Sequence, residues 1–156
     1  MPQHFKANGY HTEAIGKVLH NYGAKQKDDA LSWSTPARLD KISHFKDYAQ
    51  DSNIPKGSAK KTIVAEKPVN EDHAYVDEKI TKDAVETIKR LAEQDVPFFL
   101  AVGFMKPHSP YNAPKEYWDL YQREDMKALC SETRPEGVPD LNWWDSIEIR
   151  GFTDIP

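Results

Sequence analysis

Residues 96–121 read VPFFLAVGFMKPHSPYNAPKEYWDLY, and this stretch decides the fold. It opens on an unbroken apolar run, residues 97–104, entered through Pro97 and rich in aromatics. A run of that length and composition predicts a strand buried on both faces. Polar chemistry follows at once in Lys106, Pro107, His108, Ser109 and Pro110. Loops beyond the carboxyl ends of buried parallel strands are where α/β folds place their ligands. The stretch therefore sets one ammonium and one imidazole where a site belongs.

Working upstream, residues 77–94 (DEKITKDAVETIKRLAEQ) carry the clearest helical pattern. Ile80, Ala84, Val85, Ile88, Leu91 and Ala92 follow three- and four-residue steps and form one stripe. Asp77 is the candidate N-cap, with acids in the first turn and Lys89 and Arg90 near the end, as the helix dipole favours. Helix, short turn and buried strand make half of a βαβ unit. No chemistry is assigned to this helix. Downstream, residues 114–121 read as a short helix with Pro114 in its first turn, and Tyr117, Trp118 and Tyr121 read as packing rather than ligand contacts.

Near the start, residues 2–8 read as the end of a short helix with Phe5 toward a core, stopped by a left-handed Gly9. Residues 10–16 (YHTEAIG) form a candidate strand in the same sheet, and Lys17 and His20 follow directly. On spacing alone these are a surface charge and a hydrogen-bonded loop histidine. The recurrence of lysine and histidine after two separate strands argues for function. Between the two strands, residues 21–76 are weakly patterned, and they read as a long irregular excursion or the wall of a substrate pocket. Within it, Trp33 between Ser32 and Ser34 suits stacking on a sugar ring or plugging a groove. Asp28 and Asp29 read as a solvated acidic pair rather than a metal site.

Composition bounds the rest. A chain of 156 residues suffices for one domain, and eleven prolines with 38% hydrophobic residues point to many loops. The net charge is −4 with acids and bases interleaved, and no polybasic patch invites nucleic acid. No apolar run approaches the ~20 residues that span a membrane. The first residues show no basic-then-apolar leader pattern. Cys130 is the single cysteine, so no internal disulfide forms, and its polar neighbours mark an incidental thiol rather than a nucleophile.

Three ordered blocks carry a family resemblance. The first is Phe5, Lys6, Ala7, Asn8, Gly9, Tyr10, His11 and Thr12 running into Gly16, Lys17, Val18, Leu19 and His20. The second is the helix followed by Pro97, Phe98, Phe99 and Leu100. The third is Lys106, Pro107 and His108 leading to Pro114, Lys115 and Glu116. Together they resemble the type I, formylglycine-dependent sulfatases, and within them an iduronate-2-sulfatase-like branch. The one extra residue between Lys17 and His20 suits that branch.

The resemblance implies an alkaline-phosphatase-like α/β fold, a mixed sheet flanked by helices, of which this chain is a partial domain. It implies a middle piece of a sulfatase N-terminal catalytic domain, incomplete at both ends. The implied activity is hydrolysis of a sulfate ester on a sulfated carbohydrate. By resemblance, His108 lies against the ester and supplies the leaving group's proton. His20 lies near the formylglycine hydrate, and Lys17 is a cation for the sulfate. Lys106 and Trp33 are substrate-binding candidates. The family's nucleophile arises in a Cys/Ser-x-Pro-x-Arg motif helped by calcium on aspartates. The family order puts that motif upstream of the Lys17–His20 block, where residues 1–16 hold none; the Ser-x-Pro-x-Arg run at residues 34–38 lies downstream of that block, and the chain's residues are expected to hold no metal or other cofactor. Residues 1–156 alone are therefore expected to be inactive. Two alternatives remain open here: a phosphodiesterase or phosphonate hydrolase of the same superfamily, and a non-catalytic truncated gene product. Family members are often exported, which implies a periplasmic or secreted location that no signal in this chain tests.

Overall fold

The computed structural model describes residues 1–20, 29–39, 44–57, 61–68, 75–127, 133–142 and 148–155. Helix α1 (Pro2–Ala7) turns through Gly9, at φ 86°, into strand β1 (His11–Gly16). Phe5 of α1 stacks on Phe99, with ring centroids 4.8 Å apart. Strand β2 (Ala65–Glu66) precedes helix α2 (Val76–Ala92), which leads to β3 (Phe98–Gly103), β4 (Tyr111–Asn112) and one-turn helix α3 (Lys115–Trp118). β1 and β3 pair in parallel, from His11 opposite Phe98 to Gly16 opposite Gly103. Parallel neighbours need a long crossover, and α2 provides it. Its Val76, Ile80 and Ala84 share a core with Ile15 and Met105. β2 and β4 form a second parallel pair. The α/β class expected from the sequence is what the chain adopts.

The burial pattern differs from expectation. Every residue of β3 is only half-buried, whereas β1 is buried from Thr12 to Gly16. The reason lies in the neighbours. β1 has β3 on one edge and residues 34–38 on the other, where Ser34 N–H donates to Thr12 O (2.8 Å) and Gly16 N–H to Arg38 O (2.8 Å). Among the described residues, β3 has a strand on one edge only. The helix stripe is narrower too. Val76, Ile80, Ala84, Thr87 and Leu91 are its buried positions, while Val85 and Ile88 are exposed. Two strands below a helix cover one line of side chains and leave its shoulders open.

Burying β1 means burying Glu13, which is 1% exposed. A lone buried carboxylate is costly unless it is paired. Arg38 donates to one oxygen at 2.6 Å, and Arg90 of α2 to the other at 2.6 Å. His11 Nε2 lies 2.8 Å from that second oxygen. Arg38 also grips Asp83 of α2, at 3.0 Å for its Nη2. Burial pushes the Glu13 carboxyl up, but the bonds from Arg38, Arg90 and His11 outweigh that and hold it at about 2. This network joins strand to helix through charge where the core is thin.

Because folding depresses this pKa, the stability it contributes is full above the ordinary 4.5 and is lost as pH falls from there toward about 2. We expect Glu13→Gln to cost about 3 kcal/mol at neutral pH, the low end for orphaning a buried charge, since Arg38 keeps Asp83. Denaturant unfolding of both proteins across pH checks this: the difference between them should shrink through that acid window.

Candidate active site

The two strands leave the sheet at one crowded point. A Cβ on Gly16, at φ 73°, would sit 2.1 Å from Gly103 O, and a Cβ on Gly103 would sit 2.1 Å from Lys17 O. Only glycine admits that approach. Lys17 N–H donates to Gly103 O at 2.7 Å, so Lys17 starts beside the exit of β3. Lys17 is half-buried, and His20 is exposed further along the same loop.

The loop leaving β3 is tied at both ends. Asp77 of α2 accepts the backbone N–H of Met105 (2.7 Å) and of Lys106 (3.0 Å). Asp77 is therefore not the N-cap expected from the sequence. Tyr75 holds that position without capping the helix through its side chain, and the helix starts at Val76. The capping carboxylate comes from afar: Asp47 accepts Val76 N–H at 3.1 Å. That frees Asp77 to grip the loop. At the loop's far end, Tyr111 N–H donates to Val64 O at 2.6 Å, and the Asn112 amide donates to Asp47 O.

Within the loop, two side chains have different surroundings. The Lys106 ammonium donates to Pro110 O and lines a cleft of about 580 Å³ with Tyr75, Asp77, Asn112 and Tyr117. Burial pulls the Lys106 pKa down, and the charges of Asp47 and Asp77 oppose that. The His108 ring has Nδ1 at 2.8 Å from Ser109 O and Nε2 at 3.1 Å from Glu148 Oε1, with Phe45 edge-on at 5.6 Å. Glu148 comes from a segment docked along residues 61–64. Lys61 donates to Glu148 O at 2.7 Å, Thr153 N–H to Thr62 O at 2.6 Å, and Val64 N–H to Asp154 Oδ1 at 2.8 Å.

Lys17 and His20 thus follow the carboxyl end of β1, and Lys106 and His108 follow that of β3. The parallel register puts both loops at one end of the pair. Trp33 is elsewhere. It is 5% exposed and stacks on Phe99, which pairs with Thr12 toward the opposite end of the strands. So placed, the indole serves the fold and offers no open face to a sugar. Its serine neighbours bond to Thr12, whose hydroxyl donates to Ser32 O at 2.7 Å. Asp29 O accepts Ser32 N–H in a turn, while Asp28 and Cys130 lie outside the described residues. Tyr117 and Tyr121 are exposed rather than packed, because α3 is a single turn.

Sequence reasoning missed Glu148, Asp47 and the grip of Asp77. All three act across long separations, which leave no local spacing signal.

Calcium does not fit the carboxylates at hand. Among the described residues no three His, Cys, Asp or Glu side chains gather about one point. The buried carboxylates are already satisfied by protein donors. Glu66 accepts Ala49 N–H (2.6 Å), Gln50 N–H (3.1 Å) and the Asn53 amide (2.7 Å), as Glu13 accepts its guanidiniums.

A family model described as Sulfatase matches residues 1–132. The chain belongs to the sulfatase family. It is 30% identical to iduronate 2-sulfatase of Homo sapiens, over 99% of this chain and 29% of that protein. It is 32% identical to a sulfatase of Formosa agariphila, over 100% of this chain and 30% of the relative. An arylsulfatase of Clostridium perfringens is 25% identical over 78% of this chain and 29% of its own length. The chain thus spans about three tenths of the length of these sulfatases.

Since the Asp77 carboxylate holds two loop amides, Asp77→Ala should cost about 2–3 kcal/mol. It should also raise amide exchange at Met105 and Lys106 well above that at Gly16, whose N–H belongs to the sheet. Hydrogen-exchange mass spectrometry or NMR measures this, and equal rises at all three positions would contradict a local tie.

Proposed function

We propose that the protein is a sulfuric ester hydrolase acting on a sulfated sugar, with Lys17, His20 and His108 at its reaction centre. The observation that carries this reading is the pair of loops at one end of the strand pair, each bearing a lysine and a histidine, in a chain of the sulfatase family. A sulfate ester is an anion attacked at sulfur, and its oxygens need cationic donors. Lys17, half-buried beside the Gly16–Gly103 crossing, is a suitable point charge. The departing alkoxide needs a proton, and an imidazole is suited to deliver it near neutral pH. His108 takes that role, and His20 takes the proton-accepting role at the nucleophile. Lys106 lines the adjoining cleft and serves as a substrate-binding cation.

The sulfated-sugar class is supported by the names of the human and mouse relatives, both iduronate 2-sulfatases. The one Ser-x-Pro-x-Arg run, Ser34 to Arg38, lies after the Lys17–His20 block rather than before it, and its ends serve the fold: Ser34 Oγ accepts Thr12 N–H at 3.0 Å and Arg38 binds Glu13, so no formylglycine nucleophile is assigned to it. No step is assigned here to calcium or to that nucleophile. Cations and imidazoles alone bind an ester without forming the covalent intermediate.

The test is release of inorganic sulfate from a monosaccharide sulfate by the protein expressed from its full open reading frame. His108→Ala should lower kcat about 10²- to 10⁴-fold, and Lys17→Ala about 10²- to 10³-fold. Purified residues 1–156 should release none. Turnover by that piece, lost on changing Lys17 or His108, would contradict the account of the nucleophile.

A further inference from the structure

The environment of His108 carries a statement about substrate choice that rests on the hydrolase reading above. Nδ1 faces Ser109 O, a neighbouring carbonyl that only accepts, so Nδ1 carries a hydrogen and its bond is fixed by the local backbone. Nε2 is therefore the nitrogen that meets the leaving-group oxygen. It is now 3.1 Å from a carboxylate oxygen of Glu148, whose side chain is 46% exposed. A half-exposed pair of this kind is weak and readily displaced. The Glu148 backbone is not free to leave, because Lys61 holds its carbonyl and the following residues dock on Thr62 and Val64. When an ester oxygen takes Nε2, the carboxylate must stay beside it.

We propose that Glu148 sets the leaving-group specificity of this site. It does so by accepting a hydrogen bond from a hydroxyl next to the sulfated carbon of a sugar. That hydroxyl sits on the neighbouring carbon, two carbons along the chain from the ester oxygen, within reach of a carboxylate standing against Nε2. A sugar sulfate thus exchanges the Glu148–His108 bond for a hydroxyl–carboxylate bond. An aryl sulfate lacks such a hydroxyl and takes Nε2 from the carboxylate without offering a new bond in exchange. Sites built to bond a substrate hydroxyl discriminate strongly against analogues without one.

The experiment uses the protein expressed from its full open reading frame and two esters. One is a monosaccharide sulfate with a free hydroxyl beside the ester, the other 4-nitrophenyl sulfate. The readout is the ratio of their kcat/KM values. Glu148→Ala should lower the sugar-to-aryl ratio about 10- to 100-fold, and Glu148→Gln, which keeps an acceptor oxygen without the charge, should lower it less. Thermal unfolding is followed in parallel, and Glu148→Gln carries the test if the alanine variant loses its transition. A ratio unchanged within about twofold, whether or not both rates fall together, overturns the role of Glu148 and leaves the hydrolase reading standing. A wild-type protein that releases sulfate from neither ester overturns the hydrolase reading and this proposal with it.

Discussion

The carboxylate of Asp77, accepting two backbone N–H groups of the loop beyond β3, is the bond on which the site's geometry depends. It fastens the first turn of α2 to the chain that carries Lys106 and His108. Charge-assisted bonds to backbone amides are among the stronger hydrogen bonds in proteins. Asp47 makes this possible by capping the helix from a distant loop. One carboxylate secures the helix end and the other secures the site loop. The crossing of Gly16 and Gly103 completes the frame, since it leaves Lys17 beside the point where that loop begins.

The interior follows one electrostatic rule. Glu13, Glu66 and Asp47 are buried, and each meets protein donors rather than open space. Glu13 is held by two arginines, and Arg38 passes the connection on to Asp83 and Thr87 of α2. At the carboxyl end of the strands the pattern changes. Lys17 and His20 follow the end of one strand and Lys106 and His108 that of the other, and the carboxylate beside His108 is half-exposed rather than sealed in. Charges inside are neutralised by fixed partners, while the carboxylate beside His108 is open to solvent.

Much of this frame was legible in the sequence because its signals are local. The three- and four-residue steps of Ile80, Ala84 and Leu91 marked α2, and the apolar run before Lys106 marked β3. The order strand, helix, strand then implied the parallel pairing. What was not legible depends on distant partners. Glu13 is a carboxylate inside the strand read at residues 10–16, with no local sign of a partner. It is buried because Arg38, 25 residues on, and Arg90, 77 residues on, return to meet it. Trp33 between two serines suited a sugar platform or a groove plug equally in the sequence, and its burial against Phe99 favours the plug. Lys17, His20 and His108 were singled out by motif resemblance more than by spacing, and the parallel register explains how two remote segments reach one end of the pair. Glu148 had no signal at all, because its relation to His108 exists only once residues 148–155 dock beside Thr62 and Val64.

The central claim is that the two loops serve a single anion. A crystal structure of the protein expressed from its full open reading frame, with inorganic sulfate bound, tests it most directly. The account predicts a sulfate whose oxygens lie about 3–4 Å from the Lys17 ammonium and from ring nitrogens of His20 and His108, within hydrogen-bonding reach of all three. A sulfate bound elsewhere, or His20 and His108 on opposite faces of the β1–β3 pair, would contradict it.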